Sequence, residues 1–242
     1  MKVKLLVGLG VFLAFALPAQ ARAANVTGVV VAKHAGGTFV LAAAHGQAFT
    51  VHSTSTRARV GDRVRLSGSR LAVLGRVHRA TIRGTVVRKL SNATLVAAGH
   101  SVIRILARGS RRLASANDHG GLQPGDIAQF QVGFDDNDEI VQVAAPLVVG
   151  QAATVQIEAK VVSVSPFVVS LEGLPVAITV PSGMTLPTTL MVGDDIELTV
   201  QVTVGTNTFT LVSINQQNGD DQGDDDDGGN NTGGGGGGGD DD

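Results

Sequence analysis

A Gly-Asp pair recurs three times in this chain, at Gly61-Asp62, Gly125-Asp126 and Gly193-Asp194. Each pair stands directly ahead of a stretch with apolar residues at alternate positions, such as Arg63-Val64-Arg65-Leu66 and Asp195-Ile196-Glu197-Leu198. Alternation with period two is the pattern of a strand with one buried face. Glycine supplies the positive φ of a tight turn, and aspartate is suited to bond the backbone just beyond it. The pairs therefore read as three equivalent turns rather than three metal sites.

Around each pair the same order of short strands repeats. Unit one opens at Thr27-Gly28-Val29 and closes near Val77 to Ile82; unit two opens at Arg83-Gly84-Thr85 and closes with Glu139 to Val143. Unit three opens at Ile157-Glu158-Ala159 and closes with Thr208 to Ile214. Turn residues punctuate the strands every 8–12 residues, and no apolar helical period is sustained. The expected organisation is a leader at 1–23, repeats at 24–82, 83–146 and 153–216, and a tail at 217–242. The fold class expected is all-β: tandem small five-stranded barrels.

An opening Gly-x-Val strand, a Val-Gly-Asp fourth strand (Val60-Gly61-Asp62, Val192-Gly193-Asp194) and a closing strand ending in Ile or Val resemble the secreted bacterial OB-like β-barrel repeats of a domain of unknown function. The resemblance covers about 190 residues and implies a fold, not an activity. Unit two departs from it by an insertion at about Ala107–Leu122. A unit of ~60 residues buries only about 60% of its unfolded surface and is marginal alone. With almost no linker at Ile82-Arg83, the units are expected to stack as repeats do. A rod of stacked units presents a surface rather than a deep pocket.

The ends carry different signals. Lys2 and Lys4 precede an uncharged apolar run, Leu5–Leu17, and then small-x-small cleavage sites after Ala21 or Ala23. That order is a secretory signal peptide, and the run is short of the ~20 residues of a bilayer span. The expectation is a secreted or periplasmic protein with no transmembrane segment in the mature chain. Residues Gly219–Asp242 hold 11 Gly and 9 Asp with no apolar residue, the composition of a disordered acidic tail. Its run Asp224, Asp225, Asp226, Asp227 is the candidate for weak calcium binding, although it lacks the spacing of a calcium loop. Asp135-Asp136-Asn137-Asp138-Glu139 reads as a hairpin turn.

Charge is divided along the chain. Residues 22–116 carry 16 of the 19 Lys and Arg with Asp62 as the only acid, whereas Lys160 is the only base after residue 116. On the strand after Gly61, Arg63 and Arg65 share the face opposite Val64 and Leu66. Arg57 and Arg59 are expected to extend that stripe, with Arg76, Arg79, Arg83 and Arg88 following at the unit junction. These eight are the anion-binding candidates, because guanidinium forks suit phosphate and carboxylate. Three readings compete: a face for an anionic envelope polymer or lipid headgroups, self-association of acidic with basic regions, or a solvated surface. Nucleic acid is disfavoured. Single-strand binding relies on aromatic stacking, and only six Phe follow residue 24, most of them placed as core residues.

Cysteine is absent, which excludes disulfides, thiol nucleophiles and Cys-ligated metals. No nucleophile elbow, His-Glu-x-x-His or phosphate loop occurs. All six His precede residue 120, where acids are scarce, so a His-carboxylate pair is hard to build. A copper or zinc site from His34, His45 and His52 is a minor alternative, and His45 and His100 read as turn residues. The sequence-level conclusion is a non-enzymatic binding module without cofactors, acting at the cell envelope. The alternative is a structural or self-assembling exoprotein, tuned by calcium through the Asp tail.

Overall fold

The computed structural model describes residues 26–54, 57–107 and 121–216. The expected leader, residues 108–120 of the insertion, and the acidic tail with Asp224–Asp227 lie outside the described residues. Sixteen strands and no α-helix occur among the described residues.

Unit one comprises β1 (Val26–Lys33), β2 (Thr38–Ala42), β3 (Ala48–His52), β4 (Asp62–Ser67) and β5 (Arg70–Arg76). Unit two comprises β6 (Arg79–Lys89), β7 (Ala93–Ala98), β8 (Ser101–Leu106), β9 (Asp126–Phe134), β10 (Ile140–Gln142) and β11 (Leu147–Gln151). Unit three comprises β12 (Thr154–Val164), β13 (Phe167–Leu171), β14 (Leu174–Thr179), β15 (Asp195–Val202) and β16 (Phe209–Gln216). Unit three is a closed barrel in the order β12-β13-β14-β16-β15. This is the five-stranded Greek-key order of an OB-like barrel, with strand three parallel to strand five. In unit two, β10 pairs with both β8 and β9 and closes the same ring. Unit one has the same order, β3-β2-β1-β4-β5, left as a sheet.

Two strand assignments differ from the sequence reading. Unit one closes with Arg70–Arg76, and residues 79–82 belong to β6, which pairs with β9 of unit two. Alternating residues could not decide to which unit the segment belonged, because both units offer a partner edge. Residues 147–151, which lie between the expected second and third repeats, form β11. It continues along β9 where β10 leaves off, since β10 pairs with Val132–Phe134 and β11 with Asp126–Gln129. Pro146 lies in the break, where its missing N–H cannot enter a ladder.

The repeated Gly-Asp has one geometry in all three units. Gly61, Gly125 and Gly193 have φ of 88°, 93° and 99°, which glycine tolerates without strain. Their N–H groups donate to Val30 O, Val86 O and Val161 O at 2.9, 2.8 and 2.8 Å. Those carbonyls sit where each opening strand changes partner through a bulge, at Val30/Ala32, Val86/Arg88 and Val161/Ser163. The bulge bends the strand from the fourth strand onto the second, which barrel closure requires. The aspartates bond backwards, not beyond the turn as expected. The N–H groups of Arg59, Gln123 and Met191 donate to Oδ2 of Asp62, Asp126 and Asp194 at 2.9, 2.8 and 2.8 Å.

The units share buried surface. All six residues of β7 are buried, Leu95 and Val96 both at 0% exposure. Val96 faces the core shared with unit one, whereas Leu95, Ala97 and Val102 join the core of unit three. A strand buried on both faces loses its alternation, and Thr94-Leu95-Val96-Ala97-Ala98 has none. At the end of the array, β13 alternates buried and half-buried residues again.

Candidate functional site

The strand β4 places its arginines as its pattern dictates. Val64 is fully buried, while Arg63 and Arg65 are exposed on the opposite face. Across the sheet Arg63 lies beside Val29 and Gly75, and Arg65 beside Thr27 and Ala72, so neither has a carboxylate as its cross-strand neighbour. Arg57 and Arg59 are exposed and alternate with buried Ala58 and Val60, but the Gly61-Asp62 turn separates them from β4. Arg79 and Arg83 are exposed on β6, opposite Gly133 and Gln129. Arg57, Arg59, Arg63, Arg65, Arg79 and Arg83 make no ion pair among the described residues.

Arg76 and Arg88 are used within the chain. Arg76 Nη2 lies 3.5 Å from Asp138 Oδ1 and donates to Asp135 O at 3.3 Å, tying β5 to the β9–β10 hairpin. That hairpin is the expected turn: Asp135 Oδ1 accepts from the N–H groups of Asn137 and Glu139 at 3.0 and 2.8 Å. Arg88 Nη1 donates to Pro175 O of unit three at 3.3 Å.

A second feature was invisible in the sequence. The units do not line up as a rod with surface alone: Glu172, at the β13–β14 turn of unit three, reaches His34 of unit one, with Oε1 3.9 Å from Nδ1. Between the three units lies an open cleft of about 510 Å³. Its unit-one wall carries His34, Thr38 and His52, and its unit-three wall carries Glu158, Glu172 and Asp195. Ser101 of unit two lies between them; its hydroxyl donates to Glu158 Oε2 at 3.1 Å. Burial pushes the Glu172 carboxyl above its ordinary value of 4.5, and the charges of His34 and Arg104 draw it partly back.

His-carboxylate pairs therefore do form, against the sequence expectation. Besides His34–Glu172, His100 Nδ1 lies 2.8 Å from Glu197 Oε1. Both acids come from unit three, whose packing against units one and two supplies the partners those units lack. His45 sits in the β2–β3 turn with φ of 61°. No group of three His, Asp or Glu converges to hold a metal ion among the described residues. No helix among them is long and apolar enough to cross a membrane.

No protein-family model matches the chain. No curated protein matches it. Solved structures with some similarity include "drosophila Unr CSD456", at 13% identity over 79% of this chain and 96% of that one, with a TM-score of 0.22. Another is a multidomain protein with nucleic acid binding domains from Streptococcus pneumoniae TIGR4, at 18% identity over 78% and 72%, also with a TM-score of 0.22. At that TM-score neither carries an argument here, and the OB-like assignment rests on the strand order.

Proposed function

We propose that this chain is an exported, non-enzymatic binding module whose arginine-bearing sheet faces engage an anionic polymer or headgroup layer of the cell envelope. The observation that carries the reading is the set of exposed guanidinium groups on β4 and β6 with no carboxylate partner among the described residues. Guanidinium groups left unpaired on a rigid sheet retain their full donor set for phosphate or carboxylate. The described phenylalanines support a ligand other than single-stranded nucleic acid. Phe39, Phe130, Phe167 and Phe209 are buried and Phe49 and Phe134 half-buried, so no ring stands out as a stacking platform. In this reading the Asp-rich tail competes with the polymer for the basic faces.

The test is binding of polyphosphate and of anionic lipid vesicles at several salt concentrations, with the full chain and a form ending at Asn218. The reading expects binding that weakens as salt rises and strengthens when the tail is removed. No binding by either form at low salt would transfer the case to the second reading, a self-assembling structural exoprotein. That reading is favoured by β11, a strand with one partner among the described residues, whose Leu147, Val148 and Val149 are 62%, 44% and 43% exposed. Calcium tuning through Asp224–Asp227 belongs to that second reading.

A further inference from the structure

The cleft between the three units is independent of the arginine faces and carries the opposite charge. We propose that it is a binding site for a small organic cation bearing primary amine or guanidinium groups. Its walls are rich in hydrogen-bond acceptors. Glu158, Glu172 and Asp195 face the cleft, with Lys160 as the only lysine or arginine lining it among the described residues. Each carboxylate is engaged through one oxygen only. Glu158 Oε2 accepts from the Ser101 hydroxyl at 3.1 Å, and Asp195 Oδ2 accepts from Lys160 Nζ at 3.2 Å. Glu172 Oε1 faces His34. Glu158 Oε1, Glu172 Oε2 and Asp195 Oδ1 have no hydrogen bond among the described residues and retain accepting capacity. The hydroxyls of Thr38 and Ser170 and the ring of His52 line the remaining wall.

A surplus of acceptors spread over a cleft selects a ligand rich in N–H donors. It does not select a metal ion, because no three His, Asp or Glu converge among the described residues. It disfavours phosphate and carboxylate ligands, which the acidic wall repels. The cleft volume of about 510 Å³ lies within the roughly 300–1,000 Å³ of small-molecule sites. The site exists only because unit three, which brings the acids, packs back on the basic units.

The test is a ¹⁵N–¹H NMR titration of the full chain with putrescine and with methylguanidinium, using 1,4-butanediol as the neutral control and magnesium as the compact cation. The expected result is saturable shifts at the amides of His34, Thr38, Ser101 and Ser170 with both organic cations and with neither control. Glu158→Gln combined with Glu172→Gln should weaken binding at least tenfold. Asp195 is highly exposed, so Asp195→Asn tests the same wall without threatening the fold, with an expected weakening of threefold or more. Shifts that fail to saturate, that appear only in residues 217–242, or that magnesium reproduces would overturn the proposal. So would unchanged affinity in the folded Asp195→Asn protein.

Discussion

Replacing Asp126 with alanine removes the acceptor at the centre of the second Gly-Asp turn. Asp126 is 6% exposed, and its two oxygens accept from the Gln123 N–H at 2.8 Å and from Gln151 Nε2 at 3.3 Å. Gln151 closes β11, so the carboxylate joins the turn to the last residue of the unit's closing strand. A hydrogen bond to a charged group contributes about 1.5–3 kcal/mol, and donors left in a buried site lose most of the compensation from water. Asp126→Ala should therefore destabilise by about 3 kcal/mol. Asp62 and Asp194, half-buried with the same backbone bond, should lose about 1 kcal/mol each. At about 2–4 °C per kcal/mol for a protein of this size, Asp126→Ala lowers Tm by about 6–12 °C. Asp126→Asn retains a neutral acceptor and should fall between the two. The chain has no Trp or Tyr, so the assay is far-UV circular dichroism, in heat and in urea. If Asp126→Ala is no more damaging than Asp194→Ala, burial does not set the strength of this turn and the argument fails.

Other perturbations separate the packing and charge arguments. Leu95→Ala empties a fully buried site between units two and three and should cost about 2–5 kcal/mol in urea unfolding; a loss below about 1 kcal/mol would mean the units do not share that core. Glu172 binds its proton more tightly in the folded than in the unfolded chain, so its contribution to stability declines as pH rises above about 4.5. Glu172→Gln should then raise Tm at pH 7 and flatten the Tm–pH curve above that point; a lower Tm at pH 7 than at pH 4.5, relative to the parent, would contradict the sign. Arg63→Glu with Arg65→Glu should abolish salt-sensitive polyphosphate binding while changing stability by less than about 0.5 kcal/mol, since both side chains are exposed and unpaired among the described residues. Loss of binding accompanied by unfolding would remove the support for a surface role.

Strand and turn are local matters, and residues within a few positions of one another decided them. The Gly-Asp turns, the inward Val64 and outward Arg63 and Arg65, and the Asp135 hairpin follow from alternation, positive φ and short side-chain-to-backbone bonds. Which strand closes which unit did not follow, because β6 presents the same alternation to either side. The run Leu95–Ala98 did carry a tertiary signal: an unbroken apolar strand in a repeat whose end member alternates is a strand covered on both faces.

The amino-acid sequence by itself determined that this is an all-β chain of short strands set by Gly-Asp turns, with a basic first half and acidic second half, because each depends on period, turn chemistry or composition. Only the tertiary structure decided that Arg76 and Arg88 are spent on contacts within the chain. It alone decided that His34 and His100 acquire acid partners, and that a cleft opens between units one, two and three. The physical reason is distance along the chain. His34 and Glu172 belong to the first and third units and meet only through the packing of those units, which no local rule of strand or turn encodes.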